Sequence, residues 1–279
     1  MPRHGPAHMK NPCLAFTLLF TLAAAVLAAQ PPSGDTLRYL LRLPTPARLA
    51  AADHLGQLYT VRDDNVLEKY APDGRLLLRY SSNRLGQVTA IDVSNPLKIM
   101  VWYSDFRTAL LLDRNLTLLG EVSLLALGYP DVRWVATASD GNLWAYDEVN
   151  FRLLKISPDG EKRAESQALN LLEHTPRQLM WLREQDNRVW LADSTQTLLV
   201  FNAFGQYERA QHFPHPVGGA QIMGDKLIFL TDTCLVSARW PVAARSELPL
   251  PAALRASGGW LGLRRLFVRR EHGLEVYGW

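Results

Sequence analysis

Short apolar segments recur along this chain, and each follows a polar or glycine-containing turn. When the segments are aligned on their second apolar residue, they fall at positions 59, 100, 144, 190, 228 and 267. The six copies are residues 56–61, 97–102, 141–146, 187–192, 224–229 and 264–269. A repeat of about 40 residues is the period of solenoids and propellers, so the pattern predicts a repeat protein.

Each copy is flanked by further strand signals. A leading strand is predicted before each copy, and an Asp-containing loop, a third strand and a tight turn follow it. Pro-Asp-Gly occupies that turn at 72–74 and 158–160, where Pro presets φ and Gly accepts positive φ. The leading strands are predicted at 48–52, 88–93, 132–138, 178–182, 220–223 and 259–262. Helical signal after residue 28 is confined to one turn at 170–173. Four short strands per repeat predict an all-β, six-bladed β-propeller of four-stranded blades.

The two ends of the repeat region complement each other. The last copy ends after its third strand, at residues 274–279, whereas an unassigned strand at 36–43 precedes the first full blade. If the N-terminal strand joins the last blade, the ring closes and leaves no strand edge between the termini. We therefore expect residues 36–279 to form a single domain.

Three of the blades resemble NHL-type repeats. In that family, a strand ending in Ala-Asp leads to a polar loop, a strand and a Pro-Asp-Gly turn; residues 191–193 (Leu-Ala-Asp) and 157–160 (Ser-Pro-Asp-Gly) match. The second blade departs from the pattern at 102–107 and 113–116. Residues 92–118 resemble uncharacterised exported propellers of Bacteroidetes-type bacteria, a resemblance that implies a periplasmic or secreted setting.

The N-terminal segment predicts export. Arg3 and Lys10 precede an apolar run at 14–29 that is shorter than a membrane-spanning helix, and Val26-Leu27-Ala28 fits signal-peptide cleavage. We therefore expect a signal peptide at 1–28, with Met1 or Met9 as the start, a short linker at 29–35 and no transmembrane segment in the mature chain. An uncleaved membrane anchor is the alternative.

The net charge bears on the kind of partner, and the cysteine content bears on disulfide formation. The whole chain carries a net charge of +3, but without residues 1–28 it has 28 basic and 27 acidic residues. A nearly neutral surface gives no electrostatic case for nucleic acid. Cys234 is the single cysteine after residue 28, so an internal disulfide is excluded.

The candidate ligand-binding residues lie in the loops after the second strands and in the connections between blades, where propellers gather their variable side chains. The loop at 103–107 is the least repeat-like, and its aromatic, acidic and basic side chains suit recognition of a partner. The alternative is that Phe106 packs under the loop while Asp105 pairs with Arg107. The predicted binding residues are Asn83, Arg84, Tyr103, Asp105, Phe106, Arg107, His174 and Arg177.

Acidic residues recur in the loops after the second strands. A ring of such carboxylates suits Ca²⁺, but an Asp at one repeat position also suits hydrogen bonding within its own turn, which is the preferred interpretation. Gluconolactonase-type six-bladed propellers bind a divalent metal through Glu, Asn and Asp. In this sequence Asp53, Asp92 and Glu184 lie on or near leading strands, but at different heights within their blades, so they do not define such a metal-binding set. The acids of the second-strand loops are Asp63, Asp64, Asp105, Asp147, Glu148, Asp193, Asp232 and Glu271.

No Gly-x-Ser-x-Gly, His-Glu-x-x-His or phosphate-loop motif occurs. We therefore expect a non-catalytic exported propeller without a cofactor, which binds a protein, peptide or glycan as a monomer or within a cell-envelope complex. The alternative is a metal-dependent hydrolase or lactonase that holds a divalent cation.

Overall fold

The computed structural model describes Met1 and residues 36–82, 84–213, 219–240, 245–255 and 259–279. The predicted signal peptide and the linker at 29–35 lie outside these residues. Twenty-four strands within the described ranges form six four-stranded antiparallel sheets, so the predicted six-bladed β-propeller is confirmed.

The strands follow one another blade by blade. Blade 1 contains β2 (Leu49–Ala52), β3 (Leu58–Val61), β4 (Leu67–Tyr70) and β5 (Leu76–Tyr80), and blade 2 contains β6 (Ala90–Asp92), β7 (Ile99–Tyr103), β8 (Thr108–Leu112) and β9 (Leu118–Ser123). Blade 3 contains β10 (Val132–Thr137), β11 (Leu143–Asp147), β12 (Arg152–Ile156) and β13 (Lys162–Glu165), and blade 4 contains β14 (Leu179–Gln185), β15 (Arg188–Asp193), β16 (Thr197–Asn202) and β17 (Tyr207–His212). Blade 5 contains β18 (Gln221–Met223), β19 (Lys226–Leu230), β20 (Cys234–Arg239) and β21 (Arg245–Pro249). Blade 6 contains β22 (Gly259–Gly262), β23 (Arg265–Arg270), β24 (Gly273–Gly278) and the N-terminal strand β1 (Arg38–Leu43).

The N-terminal strand closes the ring as predicted. β1 pairs antiparallel with β24, from Arg38 opposite Gly278 to Leu43 opposite Leu274. The side chain of Leu43 is fully buried in the core that blade 6 shares with blade 1. Both termini of the described propeller are therefore held in one blade.

The hydrophobic core consists of six clusters, and each lies between two neighbouring blades. One cluster, for example, joins Tyr59 of blade 1 to Val101 of blade 2, and another joins Trp144 of blade 3 to Leu191 of blade 4. The second and third strands are almost wholly buried on both faces, which explains their continuous apolar runs. Packing between blades therefore stabilises this fold, and Cys234, the cysteine among the described residues, is free.

Side-chain hydrogen bonds also join neighbouring blades near the central axis. Asp92 of blade 2 accepts hydrogen bonds from the backbone N and Oγ1 of Thr137 in blade 3. Gln221 of blade 5 donates from Nε2 to the carbonyl oxygen of Leu261 in blade 6 at 2.8 Å. Asp92 and Gln221 are accommodated on the inner strands because groups of the next blade satisfy their hydrogen bonds.

Antiparallel blades give the ring two faces. The connection face carries the loops between second and third strands and the connections between blades. The hairpin face carries the loops between first and second strands and between third and fourth strands. The predicted binding residues that the structure describes lie at or near the connection face.

Two short 3-10 helices interrupt the β-structure. One spans Leu169–Leu171, one residue before the predicted turn at 170–173, and the other spans Ala252–Leu254, where no helix was predicted. Across the described part of the chain, no helix has the length and apolar character needed to span a membrane.

Candidate binding sites on the two faces

A half-exposed aromatic side chain stands on the connection face of blade 2. Phe106 is 47% exposed, and the edge of its ring packs against Gly86 in the connection from blade 1. Arg84 of the same connection pairs with Glu121 at 2.7 Å. The structure therefore brings Asp105 and Phe106 together beside Gly86, two residues after Arg84, whereas Asn83 lies outside the described residues.

Arg107 bonds this loop to itself and to the connection that follows blade 2. Its Nη1 donates to the carbonyl oxygens of Ser104 and Asp105, and its Nε donates to that of Pro130, each at 3.0 Å. The guanidinium of Arg107 thus bonds to backbone carbonyl oxygens and not to the Asp105 carboxylate, its alternative partner in the sequence analysis. Arg107 also has a φ of 46°, in the left-handed region that non-glycine residues seldom adopt. Such backbone is kept where the surrounding structure enforces it.

Tyr103 does not lie in the loop where the sequence placed it. It ends β7, and its ring is buried in the core between blades 1 and 2. Burial raises the pKa of Tyr103 to about 12. The apolar run 99–103 continues one residue further than the repeat suggested, which moves this ring from the surface into the core.

His174 and Arg177 occupy a separate position, at the connection between blades 3 and 4. His174 Nε2 lies 2.7 Å from Oδ2 of Asp193, and the backbone N of Arg177 donates to the same oxygen. Burial raises the pKa of Asp193, but hydrogen bonds from His174, Thr195 and backbone amides outweigh it, so the net pKa lies below its usual range. Thr195 Oγ1 also contacts His174 Nε2, at 3.1 Å. Because Thr195 and Asp193 share one imidazole nitrogen, this is not the arrangement that activates a hydroxyl nucleophile.

Several acids after the second strands bond within their own turns. Oδ1 of Asp147 accepts hydrogen bonds from the backbone N of Val149 and of Asn150. Oδ1 of Asp193 accepts from the backbone N of Thr195 and of Thr197. This is the turn-stabilising role preferred from the sequence. Among the described residues, no three His, Cys, Asp or Glu side chains converge in a way that could hold a metal ion.

The acids near the leading strands are likewise used in hydrogen bonds. Asp53 accepts from the hydroxyl of Tyr59, and Glu184 accepts from the backbone N and Oγ of Ser139 and from the indole of Trp144. Both carboxylates are almost fully buried. Asp53 thus fixes its own hairpin, while Glu184 joins blade 4 to blade 3.

Two cavities open at the hairpin-face end of the central channel. The smaller, of about 230 Å³, is lined from five blades and contains Asp92, Arg183 and Gln221. The larger, of about 570 Å³, lies over blades 2, 3 and 4 and is lined by hydroxyl, amide and charged side chains, among them Asn95, Lys98 and Asn142. Ser94, Glu184 and Gln185 line both cavities.

Comparison with known proteins shows the fold and no family. No protein-family model matches the chain, and no curated protein sequence matches it. Among solved structures, virginiamycin B lyase from Staphylococcus aureus is similar at a TM-score of 0.56 and 14% identity, over 88% of each chain. A chain of a nidogen/laminin complex is similar at 0.55 and 14% identity, over 72% of this chain and 79% of that one. The C-terminal WD40 domain of Sif2 is similar at 0.52 and 12% identity, over 87% and 84%. The chain is a propeller.

The similar structures include a lyase and binding propellers, so the fold by itself favours neither chemistry. Of the channel residues, Asp53, Asp92 and Glu184 were considered from the sequence, whereas Arg183 and Gln221 were missed. The residues paired with the aligned second-strand positions are Ala51, Asp92, Ala136, Arg183, Gln221 and Trp260. Comparing these six positions across the repeats would have shown that only blades 2 and 4 carry a charge there.

Proposed function

We propose that this protein is an exported, non-catalytic propeller that binds a protein, peptide or glycan partner through the connection face of blade 2. The observation that carries the proposal is Phe106, a large apolar side chain left half-exposed on an ordered loop. An exposed aromatic residue on a hydrogen-bonded loop loses little backbone entropy on binding, and aromatic side chains are frequent at interface hot spots.

The surroundings of Phe106 favour a partner with an apolar anchor and polar contacts around it. Leu125, in the same face, is 53% exposed and follows Leu124, whose backbone N donates to the carbonyl oxygen of Arg107. Arg84 and Glu121 supply charged groups in the same part of blade 2, and both keep part of their surface exposed. An apolar centre with a charged border is the usual composition of a protein-binding patch.

The proposal is tested by affinity capture with purified protein, from the periplasmic and secreted fractions of the source cells, and then by direct binding of the captured component. Phe106→Ala should abolish the interaction. Phe204→Ala is the matched control, because Phe204 is 75% exposed but sits in a turn on the hairpin face. If F106A binds the purified component as tightly as F204A does, the connection face of blade 2 is not the binding surface.

Export belongs to the same proposal and rests on the N-terminal pattern of basic residues, apolar run and small residues. N-terminal sequencing of the protein recovered from cells should show a chain that begins at Ala29. An intact N-terminus on protein held in the membrane fraction would support the uncleaved anchor instead.

A further inference from the structure

Arg183 is placed in the centre of the ring. It lies on β14, the innermost strand of blade 4, opposite Trp190 of β15. It is partly buried and lines the smaller channel cavity with residues of blades 1, 2, 5 and 6. A guanidinium in such a position is costly to desolvate unless a partner compensates it.

The Arg183 guanidinium lacks such a partner in the described part of the chain, where no hydrogen-bond acceptor or carboxylate lies within bonding distance of it. A guanidinium has five N–H donors, and Arg183 lines the smaller cavity, where a ligand can accept from them. Asp92 is the charged group that acts on it through space. Burial lowers the pKa of Arg183 despite the opposing effect of that carboxylate.

Asp92 is already occupied by other donors. Its Oδ1 accepts from the backbone N of Ser94, and its Oδ2 accepts from the backbone N and the hydroxyl of Thr137. Burial raises the pKa of Asp92, but the Arg183 charge and these hydrogen bonds outweigh it and bring the net pKa below its usual range. The Asp92 carboxylate thus accepts hydrogen bonds from groups of blades 2 and 3. The donors of the Arg183 guanidinium have no acceptor among the described residues.

We propose that Arg183 binds the carboxylate of a small hydroxylated monoanion, such as a sugar acid, in the central channel. Guanidinium groups recognise carboxylates through paired N–H donors, and the smaller cavity has space for such a group. This site is on the opposite face from the partner surface proposed above and goes beyond that function.

The cavity walls define the rest of the ligand. Asp53, Asp92 and Glu184 line the cavity around Arg183, so a dianion such as phosphate meets more repulsion there than a carboxylate with a single charge. The larger adjoining cavity has hydroxyl and amide walls, including Ser139, Asn142 and Asn187 outside the smaller one. Such walls suit the hydroxyl groups of a polar ligand body.

Isothermal titration with D-glucuronate, D-glucuronamide, acetate and inorganic phosphate tests the site. Glucuronate should bind at least about tenfold more tightly than the amide of the same shape, and Arg183→Gln should remove that preference. Acetate should bind weakly and compete with glucuronate, and phosphate should bind less tightly than glucuronate. Arg163→Gln, at an exposed outer-strand arginine, is the matched control and should bind as the wild type does.

The proposal is wrong if glucuronate and its amide bind equally, if R183Q binds as the wild type does, or if neither glucuronate nor acetate binds. Tighter binding of phosphate than of glucuronate would overturn the monoanion assignment. Thermal melting separates this role from a structural one. R183Q should retain a cooperative melting transition, and glucuronate should raise the melting temperature of the wild type but not that of R183Q. An equal rise in both proteins would show that the ligand binds elsewhere.

Discussion

His174 Nε2 lies 2.7 Å from Oδ2 of Asp193 and thereby holds the connection between blades 3 and 4 against the end of β15. Asp193 is almost fully buried, whereas the His174 side chain is 29% exposed. The sequence placed His174 among the binding residues; the structure shows that it also has a role in positioning a blade connection.

Replacing His174 by Ala should lower the free energy of unfolding by about 1–3 kcal/mol at neutral pH, because a buried carboxylate loses a hydrogen bond. The pKa of Asp193 is below its usual range, so its ionised form stabilises the folded state above the unfolded pKa of about 4. That stabilisation is lost as the pH falls through the folded pKa. The difference between wild type and H174A should therefore shrink in acid. Urea denaturation at several pH values measures it, and His272→Ala, at a side chain 78% exposed, is the control.

Removal of residues 36–43 should destabilise the entire ring. The deletion takes β1 from blade 6, exposes the edge of β24 and uncovers the core around Leu43. A smaller change with the same target is Leu43→Ala, which should cost about 2–5 kcal/mol. Leu97→Ala, at a side chain 64% exposed, should leave the stability nearly unchanged. Circular-dichroism melting gives the comparison, and a truncated protein that melts like the intact one would contradict closure by β1.

Gly273 should not tolerate a side chain. Its φ is +142°, and an added Cβ would lie 2.2 Å from the carbonyl oxygen of Leu43. Gly273→Ala should therefore push the end of β1 away from the hairpin between β23 and β24 and lower the melting temperature markedly. Gly120→Ala is the matched control, since nothing lies within 4 Å of the Cβ position there. Equal melting of the two variants would show that the hairpin has room to adjust.

Removal of divalent cations should leave the protein folded and its melting temperature unchanged. The carboxylates that were candidates for Ca²⁺, such as those of Asp147 and Asp193, accept hydrogen bonds in their own turns. Melting with and without a chelator, together with metal analysis of purified protein, checks this. A stoichiometric divalent ion whose removal lowers the melting temperature would favour the metal-dependent hydrolase over the binding propeller.

The spacing of the sequence repeats predicts the fold because each blade is formed by residues close together in the chain. A turn such as Pro158-Asp159-Gly160 and the apolar run 143–146 act within about 40 residues, and the six-bladed ring follows from repeating them. The repeat pattern does not predict the position of Tyr103, because one extra residue in β7 decides whether its ring is buried. The channel site depends on Asp92 and Arg183, which are far apart in sequence. It also depends on the fact that Asp92 receives hydrogen bonds from its own and the neighbouring blade whereas Arg183 does not. Such pairing is a property of the assembled ring.

The pairing of β1 with β24 also determines the order in which the ring can be completed. Arg42 in β1 donates a hydrogen bond to the carbonyl oxygen of His272, a residue 230 positions later in the chain. The first strand of the propeller to be synthesised is therefore the last to find its partner, and until then β1 and β24 both present open strand edges. Contacts so distant in sequence slow folding, since the whole chain must be present before they form. A ribosome that stops short of the final strand consequently releases a chain with two strand edges that can pair with other molecules.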